Sequence, residues 1–172
     1  MRDAAVLVPV FRDADGELRV AIVVRADDGG LHGGQLGLPG GKPEPGDADL
    51  LATALREAEE EVGLGPADVE VLAALAPFDT RATGWRVHPF LAHVSAETTW
   101  RLSEAEIVGI LTPSVRALAD PAARATLPFT SLRFSEPLLV DGIDVDGHVL
   151  WGMTLRLLDD LLPRLLAGEW DV

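Results

Sequence analysis

The sequence predicts one mixed α/β domain over residues 1–172. Short apolar, β-branched runs alternate with turn residues, one long glycine-rich stretch suits neither helix nor strand, and two segments repeat apolar residues at helical spacing. Residues 4–11 and 20–24 read as the first strands, joined through the turn tract Asp13-Ala14-Asp15-Gly16. Eight glycines between positions 27 and 46 mark a shaped loop. Residues 47–62 follow as a helix, with Asp47 as N-cap, Asp49 near the positive end and Gly63 just past the C-terminus. Its apolar stripe is Leu51, Ala54, Leu55, Ala58 and Val62, with Glu57, Glu60 and Glu61 on the opposite side. Strands are expected over 69–76, 87–94 and 107–111, with His88 packed into the second of them. Strand-like stretches are expected within 138–145, turning at Asp141-Gly142 and Asp146-Gly147. Residues 154–167 form an amphipathic helix through Leu155, Leu158, Leu161, Leu162 and Leu165, capped by Thr154, kinked at Pro163 and closed by Gly168.

The chain carries 28 acidic against 14 basic side chains, a formal net charge of −14. That charge argues against a nucleic-acid groove or an anionic membrane surface and suits a cation-binding protein. Without cysteine there is no disulfide, thiolate metal site or cysteine nucleophile, and a cytoplasmic location is the default expectation. The apolar run after Met1-Arg2-Asp3 is too short for a signal peptide or membrane span, and charges interrupt the leucine-rich segment near the C-terminus.

Chemistry concentrates in Gly40-Gly41-Lys42-Pro43-Glu44-Pro45-Gly46-Asp47 and in Arg56-Glu57-Ala58-Glu59-Glu60-Glu61-Val62-Gly63-Leu64. Helix positions three and four apart are neighbours, so Glu57, Glu60 and Glu61 share one patch with Arg56 beside Glu60. Such like charges repel by about 0.2–0.5 kcal/mol per pair. A hard divalent cation removes that penalty, and oxygen-only donors suit Mg²⁺ or Mn²⁺. The glycine loop lets backbone groups approach the same ions and a phosphate. The plain alternative, a solvated glutamate-rich face, leaves the glycine loop unexplained.

These residues resemble the signature of the Nudix hydrolases: Gly, five residues, Glu, seven residues, then Arg-Glu-(apolar)-x-Glu-Glu-x-Gly-(apolar). Arg56 to Leu64 matches its second half, while Asp47 stands at the first Glu with one extra residue before Arg56. The bacterial coenzyme A pyrophosphatases within that family have a box of this spacing with Asp at that place. They also carry the upstream motif Arg-Ser-x-x-Leu-Arg-x-His-x-Gly-Gln-Val-x-Phe-Pro-Gly-Gly. Arg25, His32, Gly34, Gln35, Pro39, Gly40 and Gly41 fall at matching places, with Leu36 and Leu38 for Val and Phe. Residues 4–9, Thr83-Gly84-Trp85 with Pro89, residues 103–106 and Trp151-Gly152-Met153-Thr154 extend the likeness over nearly the whole chain. The motif's Ser is Ala26 and its Leu-Arg pair is Gly29-Gly30.

The resemblance implies a Nudix-type α/β/α sandwich with a mixed sheet and a loop-helix-loop metal site. It also implies Mg²⁺- or Mn²⁺-dependent hydrolysis of a diphosphate bond, with water attacking phosphorus in line. The implied substrate is coenzyme A or a thioester of it, giving 3′,5′-ADP and a 4′-phosphopantetheine compound. Gly29-Gly30 favours an alternative, ADP-ribose or another nucleoside diphosphate derivative. A catalytically silent ligand sensor would have lost box glutamates, and all three are present. By the same resemblance Glu57, Glu60, Glu61 and Gly41 hold the metal, and Arg56, Glu60 and Glu104 serve catalysis, with Glu106 an equal candidate for the further carboxylate. Arg25, Gly34, Gln35, Gly40 and Lys42 then contact substrate. Structural alternatives stand beside these: an Arg56 salt bridge for Glu60, a simple surface role for Glu104 or Glu106, a loop-tying amide for Gln35, an exposed strand end for Arg25, loop shaping for His32 and a rim aromatic for Trp85. The implied partner is a small nucleotide, neither nucleic acid nor membrane, and a homodimer of the kind many relatives form stays open.

Overall fold

The computed structural model describes residues 1–80 and 83–172. In chain order its elements are β1 (Arg2–Arg12), β2 (Leu18–Val20), β3 (Ile22–Arg25), β4 (Leu36–Gly37), β5 (Gly40–Gly41) and α1 (Leu50–Val62). There follow β6 (Val69–Ala74), β7 (Phe78–Asp79), β8 (Trp85–Val94), β9 (Ile107–Leu111) and α2 (Val115–Ala119). The last are β10 (Arg124–Phe129), β11 (Leu138–Val145), β12 (His148–Trp151) and α3 (Gly152–Leu166).

β1 is the centre of the main sheet. One edge runs parallel to β8, from Arg2↔Trp85 to Val10↔His93, and the other meets β2 and β5 antiparallel. A strand covered on both faces reads as an uninterrupted apolar run, which accounts for residues 4–11. β6 extends the sheet beyond β8, giving the order β2-β1-β8-β6, and two three-stranded sheets, β4-β3-β9 and β10-β11-β12, flank it. Val8, Val10 and Leu91 pack on one side with Leu158, Leu161 and Leu162 of α3. Leu7, Phe11, Ala92 and Val94 pack on the other with Ala58 and Val62 of α1. The mixed sheet therefore lies between α1 and α3, the expected α/β/α sandwich.

Several local expectations change. Asp49, not Asp47, caps α1, its Oδ1 accepting from Ala52 N at 2.8 Å. Asp47 is drawn away by Arg56 and Thr53. α3 begins at Gly152, so Thr154 is no cap: it is buried, and its hydroxyl donates to Leu36 O at 3.3 Å. The helix continues through Pro163 to Leu166. β11 runs unbroken through Asp141-Gly142, because the bare Gly142 accommodates the Leu150 carbonyl 2.6 Å from where a Cβ would sit. Only Asp146-Gly147 turns, with φ of 51° and 84°, as a two-residue hairpin loop requires. His88 is only half-buried, with Nε2 2.8 Å from Asp3 Oδ1. Among the described residues no helix is long and apolar enough to cross a membrane.

Candidate active site

β5 carries the glycine pair onto β1, Gly40 opposite Val6 and Gly41 opposite Ala5. A Cβ on Gly40 would collide with the Ala5 carbonyl and sit 2.7 Å from Val6 Cα. A Cβ on Gly41 would overlap the Glu57 carboxylate. The glycines thus let two strands and a helix side chain approach more closely than any side-chain-bearing residue permits.

Arg56 organises the exposed side of α1. Nε donates to Asp47 Oδ1 at 2.9 Å, and Nη2 donates to Asp47 Oδ2 at 3.1 Å and to Lys42 O at 2.9 Å. Nη1 reaches Glu57 Oε1 at 3.2 Å and Glu60 Oε2 at 3.1 Å. Asp47 also accepts from Glu44 N and Thr53 Oγ1, each at 2.9 Å. The Arg56 hydrogen bonds, seconded by these, hold the Asp47 carboxyl far below the ordinary aspartate range, and Asp47 in turn raises Arg56.

Glu61 does not lie on a solvated face, as the spacing alone suggests. It is 2% exposed, with Gly40 N donating to Oε2 and Arg25 Nη1 to Oε1, both at 3.2 Å. Arg25 Nη2 donates to Leu38 O at 3.1 Å, so this guanidinium is a clasp between the glycine loop and the buried carboxylate. Burial pushes the Glu61 carboxyl up, while Arg25 and the Gly40 amide oppose it. Burial also raises Glu57, with Arg56 opposing and the Glu60 and Glu106 charges adding to the rise. Glu60 is exposed, and the Arg56 salt bridge offered as its alternative role is formed. Among the described residues no group of three His, Asp or Glu side chains stands ready as a closed metal cage. The donors are oxygen only, partly desolvated and mutually repelling, a set whose chemistry fits a hard divalent cation.

Beside this cluster opens a cleft of about 440 Å³. Ala4 and Val6 of β1, Val87 of β8 and Phe78 of β7 form an apolar wall, and Met153 and Leu157 of α3 face it. Gly40, Gly41 and Lys42 border the end next to the glutamates. At the rim, the Arg2 guanidinium lies 4.1 Å and Lys42 Nζ 5.6 Å from the Trp85 ring centroid. Arg25 and Gln35 also line the cleft. The Gln35 amide ties its own loop, Nε2 donating to Leu31 O at 3.4 Å and Oε1 lying 3.2 Å from His32 Nδ1. Gly34, with φ of 73°, donates to Ala26 O and shapes the loop without bordering the cleft. Glu104 and Glu106 are both exposed, and the Glu106 charge adds to the rise of the Glu57 carboxyl. Arg2, Phe78, Met153 and Leu157 escape sequence reasoning because they come from three distant segments. For Arg2 alone a signal existed, a cation opening the cleft-lining strand.

The NUDIX domain family pattern matches residues 1–131. A relative described as an uncharacterized Nudix hydrolase, NudL of Salmonella enteritidis PT4, is 35% identical over 165 residues, 95% of this chain and 83% of its own. Among solved structures, the Nudix hydrolase RenU of M. smegmatis superposes with a TM-score of 0.65 at 15% identity, covering 99% of this chain and 89% of that one. The NUDIX domain of Shewanella oneidensis NrtR, complexed with ADP ribose, superposes with a TM-score of 0.63 at 19% identity over 96% and 88% of the two chains. With the sandwich, the glycine loop and the glutamate-bearing helix in place, these likenesses identify the chain as a member of the Nudix hydrolase family, a diphosphatase by class.

Proposed function

We propose that this chain, acting as a single domain over residues 1–172, hydrolyses the diphosphate bond of coenzyme A or its thioesters to 3′,5′-ADP and a 4′-phosphopantetheine compound. The observation that carries the reading is the apolar cleft ending at Gly41 and the Glu57 carboxylate. A diphosphate bound at that end extends an uncharged, narrow arm along Val6, Phe78 and Leu157, which suits pantetheine better than a second charged nucleotide. The upstream likeness through Arg25, His32 and Gln35 supports the same substrate. The proposed setting is the cytoplasm, with neither nucleic acid nor membrane as partner.

Glu57, Glu60, Glu61 and the Gly41 carbonyl are the proposed holders of Mg²⁺ or Mn²⁺. When bound, the ion supplies neutralising charge at the phosphate oxygens and makes a nearby water more acidic. Arg56 orients Glu57 and Glu60, and Arg25 holds the buried Glu61 in place and opposes the rise that burial imposes on its carboxyl. Lys42 contacts substrate at the cleft rim, where its Nζ lies 5.6 Å from the Trp85 ring centroid, and the bare Gly40-Gly41 backbone admits the diphosphate oxygens closely. Of the two acidic residues before β9, Glu106 is the proposed acceptor of the attacking water's proton, in preference to Glu104, because its charge reaches Glu57. The competing substrate is ADP-ribose, favoured by Gly29-Gly30 standing where the coenzyme A motif has Leu-Arg.

Turnover of coenzyme A, acetyl coenzyme A, ADP-ribose, NADH and dinucleoside polyphosphates, with products separated by chromatography, tests the proposal. The highest kcat/KM belongs to coenzyme A or its thioester, with 3′,5′-ADP as product. A higher value for ADP-ribose, with AMP as product, transfers the chemistry to the competing substrate.

A further inference from the structure

The far rim of the cleft carries positive charge that hydrolysis at the glutamates does not require. Arg2 and Trp85 face each other across the parallel β1–β8 pair. Arg2, Ala4 and Val6 share one strand face with period two, and Trp85 and Val87 share the matching face of β8, all turned to the cleft. The guanidinium lies over the indole at 4.1 Å, with Lys42 Nζ approaching the same ring at 5.6 Å. Stacking uses the flat face of a guanidinium and leaves its N–H edge directed outward, pre-organised to fork onto an oxyanion. One edge nitrogen, Nη2, donates to the Thr83 carbonyl at 3.2 Å. Among the described residues no carboxylate pairs with Arg2 or Lys42. In a chain of net charge −14, two cations sharing one ring with no ion-paired carboxylate among the described residues mark a place for an anion.

That anion is not the scissile diphosphate. Ala5 faces Gly41, whose absent Cβ leaves room for the Glu57 carboxylate, and Arg2 lies three residues further along β1. At about 3.3 Å per residue the separation is roughly 10 Å, beyond the span of a diphosphate held at the glutamates but within reach of a second phosphate on the same nucleotide. We propose that Arg2, stacked on Trp85, forms with Lys42 a phosphomonoester subsite that selects diphosphate substrates bearing an additional phosphate on the nucleoside. Its assignment to the 3′-phosphate of coenzyme A rests on the proposed function above.

The test compares binding of 3′,5′-ADP and AMP to the full chain by calorimetry, and kcat/KM for coenzyme A and dephospho-coenzyme A, in wild type, Arg2→Gln and Trp85→Leu. Circular dichroism and the melting temperature verify that each variant folds. Wild type binds 3′,5′-ADP about tenfold or more tightly than AMP, a charge-assisted fork being gained. Arg2→Gln removes that preference, and Trp85→Leu, which keeps the charge but frees the guanidinium, weakens it. Equal binding of the two nucleotides by wild type, or a preference that survives in folded Arg2→Gln, overturns the subsite. An Arg2-dependent preference for 3′,5′-ADP without turnover of either coenzyme supports the subsite and removes coenzyme A as substrate. Turnover of coenzyme A with no preference over dephospho-coenzyme A, and none for 3′,5′-ADP, keeps the substrate and removes the subsite.

Discussion

Arg56 grips Asp47 with two nitrogens, Nε to Oδ1 at 2.9 Å and Nη2 to Oδ2 at 3.1 Å, and turns its remaining nitrogen to Glu57 and Glu60. The two residues are nine apart, so the pair ties the loop before α1 to the middle of the helix. The guanidinium can reach the glutamates only in the orientation that the Asp47 fork imposes.

Asp47→Asn halves that fork and lets Arg56 rotate. Loss of such a supporting partner lowers activity on the order of tenfold or more, with kcat falling more than KM, in steady-state kinetics. The depressed Asp47 carboxyl also sets a sign. Its stabilising contribution is fully present above the unfolded aspartate value of about 4 and is lost as pH falls below it. The melting-temperature gap between wild type and Asp47→Asn therefore narrows as pH is lowered from 5 to 3, to be followed by scanning calorimetry.

Arg25→Ala strips the buried Glu61 of its cation. A fully buried pair broken on one side costs about 3–5 kcal/mol. The Arg25 side chain is 26% exposed, so water takes part of that load and the expected loss is about 2 kcal/mol. Mg²⁺ replaces the missing charge, so denaturant titrations with and without it show a larger metal-dependent stabilisation in the variant than in wild type. An unchanged metal effect would separate Glu61 from the cation.

The two glycines of β5 answer differently to alanine. At Gly40 the new methyl meets the backbone of Ala5 and Val6, which cannot yield, and the variant loses stability sharply or fails to fold. At Gly41 it meets only the end of the Glu57 side chain, which can swing aside. Gly41→Ala therefore keeps its melting temperature within a few degrees while activity drops on the order of tenfold to a hundredfold. Thermal scans and kcat on the same preparations make the comparison.

Glu106→Gln and Glu104→Gln separate two exposed neighbours. Removal of a general base costs about a hundredfold or more in kcat. That loss is expected at Glu106, whose charge acts on Glu57, and a far smaller one at Glu104. The reverse order, in single-turnover assays, would return the role to Glu104.

The shared helix of the proposed metal-holding glutamates was legible in the sequence because helical spacing is a local property. The burial of Glu61 was not, since it depends on Arg25, 36 residues earlier, and on the Gly40 amide. The same limit explains Asp47: two aspartates stood near the start of α1, and only the reach of Arg56 decides which one caps it. β1 was readable because burial on both faces leaves an unbroken apolar run. β10 was not, because Arg124–Phe129 is largely exposed, contains a proline and owes its extension to pairing with β11. α2, at five residues, is too short to display a helical period.

Glu57, Glu60 and Glu61 are proposed to drive hydrolysis of the coenzyme A diphosphate through a bound cation. Release of 3′,5′-ADP from coenzyme A, measured with Mg²⁺, with chelator and in a folded Glu61→Gln variant, tests it most directly. Wild type with Mg²⁺ releases 3′,5′-ADP, and the release is lost in both other conditions. Release that persists in Glu61→Gln or in chelator would contradict it.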